Sequence, residues 1–361
     1  DTVTVVISAP GFVSDTVSIA VTEPLHSITN ISTARTTGAA DDIFNIRIGS
    51  PVNPTSTTVF TFDNIRFGAP DRVFSVVNDS AAVGDLVTST LVADSVTVIM
   101  PAGTSTTAST VASGGVAFRS QVPGVSFVRI VSTQSRPTLS ATATITTTQS
   151  SITNLTAMTG TNAIGRGLQR SGSITISEAM PAGDSLAITV RASRPGFALL
   201  SNDNGIAGTG DSVVTYVIPG AQTAPISVQV LESAPLDTFS LIMSAPGYQG
   251  LTRGVEVILP LIRIGTDIDL TGVVGAVDDA FRLETGSPNG AAGNSINNFD
   301  FVRLGSPGML VDIVNDSAQL GRLVVSAGLV DSARLVIPAG SRFTAATIPS
   351  GGVAYRYIAA G

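Results

Sequence analysis

The chain has 361 residues and a net charge of −7, and only 12% of its residues are charged, about half the usual share. It contains no Cys, no Trp, no Lys and a single His, which excludes disulfides, thiolate and Schiff-base chemistry and any His metal cluster. No arginine cluster is present to bind nucleic acid, and no run approaches the roughly 18 apolar residues of a membrane span. We therefore expect a protein without enzymatic activity, cofactor, nucleic-acid partner or membrane span.

Residues 1–24 are predicted to form two β-strands joined by an Ala-Pro-Gly turn. β-branched residues alternate with polar ones in both strands, as on a half-buried pleated surface. The six inward candidates are Val3, Val5, Ile7, Val17, Ile19 and Val21. The segment aligns without a gap with 237–260, where an equivalent strand pair closes a longer unit. Residues 1–24 therefore have the sequence of the last two strands of a domain.

Three longer units follow, at 25–148, 149–260 and 261–361, and internal repeats mark them. VVNDS at 76–80 matches IVNDS at 313–317, and ADSVTVIMPAG at 93–103 matches VDSARLVIPAG at 330–340. Each unit has the length of an independent domain. Short alternating strands separated by Pro-Ala-Gly and Ser-Gly-Gly turns, with no 3.6-residue period, are typical of antiparallel sandwiches. The predicted fold class is all-β, with tandem immunoglobulin-like antiparallel β-sandwich domains.

Three motifs carry a resemblance to a known family. They are Ser8-Ala9-Pro10-Gly11-Phe12, Ser244-Ala245-Pro246-Gly247-Tyr248 and Val336-Ile337-Pro338-Ala339-Gly340. With the alternating strands beside them, they resemble the tandem immunoglobulin-like domains of bacterial invasin-type adhesins and other surface proteins. The resemblance implies a fold and a location at the cell surface or outside the cell, and it implies function only weakly.

The ends of the chain do not coincide with its predicted domains. The unit 261–361 is expected to lack its last two strands, and residues 1–24 are such a pair, with Asp1 aligned to Val125 of the first unit. Two interpretations follow: residues 1–24 complete the 261–361 unit of a neighbouring copy, as in donor-strand exchange, or they complete a preceding domain of a longer tandem array. Burying the six inward residues would contribute on the order of 10 kcal/mol before entropy. The walls of the receiving groove are predicted to include Leu335, Ile337, Val353 and Tyr355.

Three weaker signals have simpler explanations. Gly183-Asp184-Ser185-Leu186 matches the Gly-Asp-Ser-Leu motif of a family of serine esterases. The only histidine that could accept the serine proton is His26, which we expect to be an exposed linker residue. Asp41, Asp42, Asp278 and Asp279 are weak calcium candidates that also fit ordinary turns. Asparagines in the Asn-X-Ser/Thr pattern, where glycans could attach, are Asn30, Asn78, Asn154 and Asn315.

The sequence predicts a structural subunit of an extracellular bacterial fibre, sheath or surface layer, whose partners are copies of itself joined head to tail. Its low charge suits close packing, since few charges need to be desolvated. The alternatives are an adhesin stalk that presents a binding tip, and a non-catalytic spacer of a secreted enzyme.

Overall fold

The structure is a computed structural model that describes residues 1–158, 162–265, 267–269, 271–289, 293 and 295–360. Residues 1–150 form one compact unit and 151–361 another. Strands dominate both, which confirms the predicted all-β class. The helices in the described residues are four 3₁₀ turns, at Val111–Ser113, Leu139–Ala141, Thr156–Met158 and Ile348–Ser350. None of them is long and apolar enough to cross a membrane.

The first unit opens with an antiparallel hairpin of β1 (Thr2–Ile7) and β2 (Asp15–Ala20). Its turn is the Ala-Pro-Gly motif, in which Phe12 N donates to Ala9 O at 3.1 Å and Gly11 has a φ of 84°. That left-handed conformation is accessible to glycine without strain. In the described part of the chain the two strands pair with no strand but each other, and every residue from Asp1 to Ala20 is exposed.

The rest of the first unit is a two-sheet sandwich, and its core contains side chains from both sheets, such as Phe44, Val76 and Ile145. Its strands are β3 (Leu25–Thr29), β4 (Ala34–Thr36), β5 (Asp42–Pro51), β6 (Val59–Thr61), β7 (Arg72–Asn78), β8 (Gly84–Val87), β9 (Val92–Ala93), β10 (Ser95–Met100), β11 (Val116–Ser120), β12 (Gly124–Val131), β13 (Arg136–Pro137) and β14 (Thr142–Thr148). One sheet has the order β10-β7-β12-β14-β4, and the other runs β13-β3-β5-β11-β8-β9. This order is that of an immunoglobulin-like sandwich in which β12 and β14 are the last two strands.

The second unit contains a second sandwich of the same strand order. Its strands are β15 (Ile152–Leu155), β16 (Ala163–Gly165), β17 (Leu168–Ile176), β18 (Leu186–Ala192), β19 (Ala198–Ser201), β20 (Ser212–Val217), β21 (Thr223–Val230), β22 (Thr238–Ser244) and β23 (Leu251–Ile258). The sheets run β15-β17-β21-β19 and β16-β23-β22-β18-β20, so that β22 and β23 occupy the places of β12 and β14.

The third sandwich, in the same unit, lacks those two places. Its strands are β24 (Leu261–Ile264), β25 (Asp279–Phe281), β26 (Leu283–Pro288), β27 (Ile296–Asn298), β28 (Phe301–Val302), β29 (Met309–Val314), β30 (Gly321–Val325), β31 (Gly328–Val330), β32 (Ser332–Ile337) and β33 (Val353–Tyr357). Within the described residues its second sheet consists of β29 and β32, whereas the corresponding β7 and β10 belong to a sheet of five strands.

His26 is buried, so the prediction of an exposed linker residue is wrong. β3 begins at Leu25, immediately after Pro24, and His26 therefore lies inside a sheet with 1% exposure. Its Nδ1 is 2.8 Å from Ser135 Oγ, and its ring packs edge-on to Phe74. Burial lowers the pKa of His26 below its ordinary value, because the charged imidazolium is disfavoured away from water.

The neutral state of His26 predicts a pH-dependent stability. Below pH about 6.5 the unfolded chain binds a proton at His26 that the folded chain does not. The free energy of unfolding therefore decreases by up to about 1.4 kcal/mol for each unit by which the pH is lowered. Urea unfolding of the first unit at pH 7.5 and 5.0 measures this loss. In His26→Gln, which keeps a hydrogen-bonding side chain without a titrating group, most of the loss should disappear. An equal pH dependence in both proteins would contradict the assignment.

Candidate assembly surface

The hairpin carries most of its apolar strand residues on one face, and that face is uncovered. Its six inward candidates, Val3, Val5, Ile7, Val17, Ile19 and Val21, are between 38% and 67% exposed. In the two sandwiches that possess the equivalent strands, the corresponding residues are buried except Arg253, which stands at the place of Val17 and is half-buried. Those at the places of Val5, Ile7 and Ile19 are Val128, Ile130 and Ile145 in the first sandwich and Leu241, Met243 and Val255 in the second, all 6% exposed or less.

The pairing register fixes this equivalence. Val3 lies opposite Ile19 in the hairpin, as Phe239 lies opposite Val255 and Ser126 opposite Ile145 in the completed sandwiches. Asp1 therefore corresponds to Gly124, and the alignment of Asp1 to Val125 is wrong by one residue. The one-residue error matters because it would exchange the two faces of the strand.

The third sandwich has an open edge where the other two have a paired strand. In the first sandwich β7 lies between β10 and β12, whereas among the residues that the structure describes the matching β29 pairs with β32 alone. Val76 and Asn78, which lie beside β12 in the same sheet, are buried, while their equivalents Ile313 and Asn315 are half-buried. An unpaired strand edge of this kind offers backbone N–H and C=O groups to another strand.

The predicted groove walls lie behind this edge. Leu335 and Ile337 are buried in the core on β32, next to β29, and Val353 is buried on β33. Tyr355 is half-buried and packs against the same core. β29, with Ile313, was not among the predicted groove walls, although the match of IVNDS at 313–317 to VVNDS at 76–80 includes its last two residues.

The junction between the second and third sandwiches contains a buried ion pair that sequence analysis did not predict. Arg170, at 9% exposure, donates from Nε and Nη2 to the two carboxylate oxygens of Asp300, at 3% exposure, both at 2.7 Å. Ser287 Oγ also donates to Asp300 and accepts from Gly165 N. Arg170 Nη2 donates in addition to Ala163 O at 2.8 Å. The carboxylate is thus bound from both sandwiches.

Backbone contacts extend the same junction. β28 pairs with β17, which places Val302 opposite Leu168. Leu304 N donates to Gln169 Oε1 at 2.8 Å, and Arg303 N donates to Gly167 O at 2.7 Å. With Val302 only 1% exposed, the two sandwiches share a continuous buried surface.

The acidic calcium candidates are engaged in other contacts. Asp41 accepts two hydrogen bonds from Arg119, and its repeat equivalent Asp278 accepts two from Arg356. The hydrogen bonds from Arg356 hold the pKa of Asp278 below its ordinary value. Asp42 accepts from Ser32 N, and Asp279 accepts from Asp269 N. Within the described residues no group of three or more His, Cys, Asp or Glu side chains could hold a metal ion.

The repeated Asn-Asp-Ser motif has a structural explanation. Asn78 and Asn315 each donate from Nδ2 to a carbonyl six residues later and accept from the serine two residues later. Such side-chain bonds stabilise a turn. Asn78 is also only 3% exposed, so a glycan on this side chain would require the turn to open. Asn30 is exposed and Asn154 is half-buried.

The Gly-Asp-Ser-Leu string is a turn that enters β18. Asp184 N donates to Pro181 O at 3.2 Å, and Gly183 has a φ of 93°. Ser185 is exposed, and the single histidine of the chain is the buried His26, bonded to Ser135. The turn interpretation accounts for all four residues.

No family model matches the chain, and no curated protein matches it by sequence. Among solved structures it is similar to domains 4 and 5 of the S-layer protein SbsC, at 9% identity over 64% of this chain and 96% of that one, with a TM-score of 0.29. It is also similar to domains 4–9 of SbsC, at 10% identity over 92% of this chain and 47% of that one, with a TM-score of 0.34. A third similar structure is the Yersinia pseudotuberculosis adhesin InvE, at 10% identity over 77% of this chain and 72% of that one, with a TM-score of 0.25. The chain spans about half the length of the SbsC domains 4–9 structure. The immunoglobulin-like assignment rests on the strand order given above.

The buried pair at the junction predicts an asymmetric mutational response. Arg170→Met leaves Asp300 buried without its cation and should cost the second unit about 3–5 kcal/mol in free energy of unfolding. The double variant Arg170→Met/Asp300→Leu removes both charges and should regain most of that loss. Urea unfolding measures the double variant and the two single variants, Arg170→Met and Asp300→Leu. If the double variant were as unstable as the sum of the two single variants, the pair would not be coupled.

Proposed function

We propose that this chain is a structural building block of an extracellular bacterial assembly, a fibre, sheath or surface layer of immunoglobulin-like sandwiches joined head to tail. The hairpin of one copy completes the third sandwich of the next. The observation that supports the proposal is a matched pair of unsatisfied surfaces. The hairpin exposes one apolar face, and β29 exposes the edge that such a hairpin covers in both completed sandwiches.

The completed sandwiches specify the contact. Val128 lies opposite Asn78 and Ile130 opposite Val76 in the first, while Leu241 and Met243 lie opposite Ala192 and Val190 in the second. Transferred to the hairpin, this register places Val5 opposite Asn315 and Ile7 opposite Ile313 of the neighbouring copy. Val3, Val17, Ile19 and Val21 then face the core that contains Leu335 and Ile337. A contact of this kind is heterologous and continues from copy to copy.

Substitutions on the two faces of β1 test the function. Val5→Asp places a charge on the face that becomes buried, and we expect it to weaken association at least about 100-fold. Val6→Asp is the matched control, because Val6 points to the other face and its equivalent in the first sandwich is the exposed Arg129. Sedimentation velocity measures association, and electron microscopy shows whether the product is a polymer. Equal effects of the two variants, or monodisperse rods for the wild type, would contradict the proposal; rods would favour an adhesin stalk.

Cross-linking tests the register. The chain contains no Cys, so two single variants, Ile7→Cys and Ile313→Cys, can be mixed and oxidised without side reactions. Residues directly opposite on paired strands are close enough for a disulfide, and we expect a covalent heterodimer. Val6→Cys mixed with Ile313→Cys should give none, since Val6 is neither opposite Ile313 nor on its face of the sheet. Efficient cross-linking of both mixtures would refute the register.

A further inference from the structure

A short strand lies on the far side of the last two strands in both completed sandwiches. In the first sandwich β4 pairs with β14, and in the second β16 pairs with β23, each parallel to the last strand. The residue after the short strand donates its backbone N–H to that last strand. In the first sandwich Thr37 N donates to Thr148 O at 2.9 Å, and the second has the same bond from Arg166 N to Ile258 O. The last two strands thus have a strand partner on both sides.

The third sandwich has the sequence of this short strand without its pairing. Residues 271–281, TGVVGAVDDAF, align without a gap with 34–44, ARTTGAADDIF. Gly275, with a φ of 81°, stands at the place of Gly38, with a φ of 74°, so the same turn follows in both. Residues 271–273 are therefore the counterpart of β4. In the part of the chain that the structure describes they pair with no strand, and residues 271–277 are all exposed.

Tyr357 connects the segment 271–273 to the receiving groove. Its Oη donates to Asp269 O at 2.8 Å, and its ring lies so close to Gly272 that no space is left for a Cβ at that position. The same ring packs edge-on against Tyr355, with the two centroids 5.1 Å apart. Since Tyr355 is one of the predicted groove walls, the segment continues the wall of the groove.

We propose that the segment 271–273 is the second edge of the receiving groove and forms a parallel strand with β2 of the neighbouring copy. The inference rests on the proposed function, since it requires that the hairpin enters the third sandwich, and it adds a contact on the side away from β29. The completed sheet has the order β32-β29-β1-β2 followed by the segment 271–273. It then contains five strands, as the corresponding sheets of the first two sandwiches do.

The strand pairing of the first sandwich gives the register of this contact. Thr148 lies opposite Thr36, and the hairpin residue at the place of Thr148 is Thr22. Because Val273 stands at the place of Thr36, it lies opposite Thr22 of the neighbouring copy. Val274 follows the segment as Thr37 follows β4. In the described residues Val274 N has no acceptor, and in the completed sheet it donates to Thr22 O.

The side chains at this edge are matched as well. In the first sandwich Thr147 Oγ1 of β14 donates to Ser120 Oγ of β11 at 3.4 Å, and both residues are buried. The hairpin has Val21 at the place of Thr147. In the third sandwich VAYRY at 353–357 matches VAFRS at 116–120, which puts Tyr357 at the place of Ser120. An apolar side chain and an aromatic ring thus replace a pair of hydroxyls, so no hydroxyl at position 21 is buried without a partner.

Cross-linking tests the register of the second edge. Thr22→Cys is mixed with Val273→Cys and oxidised, and we expect a covalent heterodimer, identified by its mass, because opposite residues on neighbouring strands lie within disulfide reach. Val336→Cys is the matched control for Val273→Cys. Val336 is also exposed on the third sandwich, but β29 and β1 separate it from β2 in the completed sheet. The mixture of Thr22→Cys with Val336→Cys should therefore give no heterodimer.

The outcomes separate this inference from the proposed function, which has its own pair, Ile7→Cys with Ile313→Cys. If that pair forms a disulfide and Thr22→Cys does not react with Val273→Cys, the hairpin binds β29 without the second edge and this inference alone fails. Equal reaction of Thr22→Cys with Val273→Cys and with Val336→Cys would overturn it too. If neither the Ile7 pair nor the Thr22 pair forms, both proposals fail.

A proline at position 274 removes the predicted hydrogen bond alone. Ala276 N donates to Val273 O at 3.0 Å and Gly275 has a positive φ, as in a type II turn, which favours proline at the position of Val274. Val274→Pro should therefore leave the free protein folded and weaken association about three- to tenfold. Val274→Ala, which keeps the N–H, should associate like the wild type. Sedimentation velocity measures both variants, and equal association of the two would contradict the parallel strand.

Discussion

A β-sandwich is stable only when both of its sheets are complete, because each strand must pair its backbone groups and cover an apolar face. In the first two sandwiches the last two strands supply backbone partners and cover the apolar face, and Ile145 and Val255 are fully buried there. The hairpin offers the same strands with Ile19 half exposed, and the third sandwich exposes β29 where they would pair. The proposed head-to-tail assembly would meet this requirement.

Many of the few charged residues of this protein form ion pairs. Several arginines pair with carboxylates on the surface of their own sandwich, as Arg119 does with Asp41 and Arg334 with Asp312, and such exposed pairs contribute little stability. Arg170 and Asp300 differ because they are buried and come from different sandwiches. A buried pair penalises every partner that lacks the complementary charge.

Much of the fold could be predicted from the sequence because period-2 alternation and glycine turns are local signals. The Pro-Ala-Gly and Ala-Pro-Gly turns have the expected left-handed glycines, at Gly103 and Gly11. What could not be predicted depends on long-range contacts. Burial of His26 requires Ser135, 109 residues away, and the Arg170–Asp300 pair joins residues 130 apart. The correspondence of Asp1 with Gly124 became visible only in the strand register, since the loop that follows β12 differs in sequence from the other turns.

Hydrogen exchange of the native chain as a function of its concentration tests the central claim most directly. We expect the amides of β1, β2 and β29 to be poorly protected in dilute solution and to become protected together as concentration rises, while the β7 amides, which are already paired, remain constant. Exchange of β1 and β29 that is independent of concentration up to the solubility limit would contradict completion of one copy by another. Protection of β1 without β29 would contradict it as well.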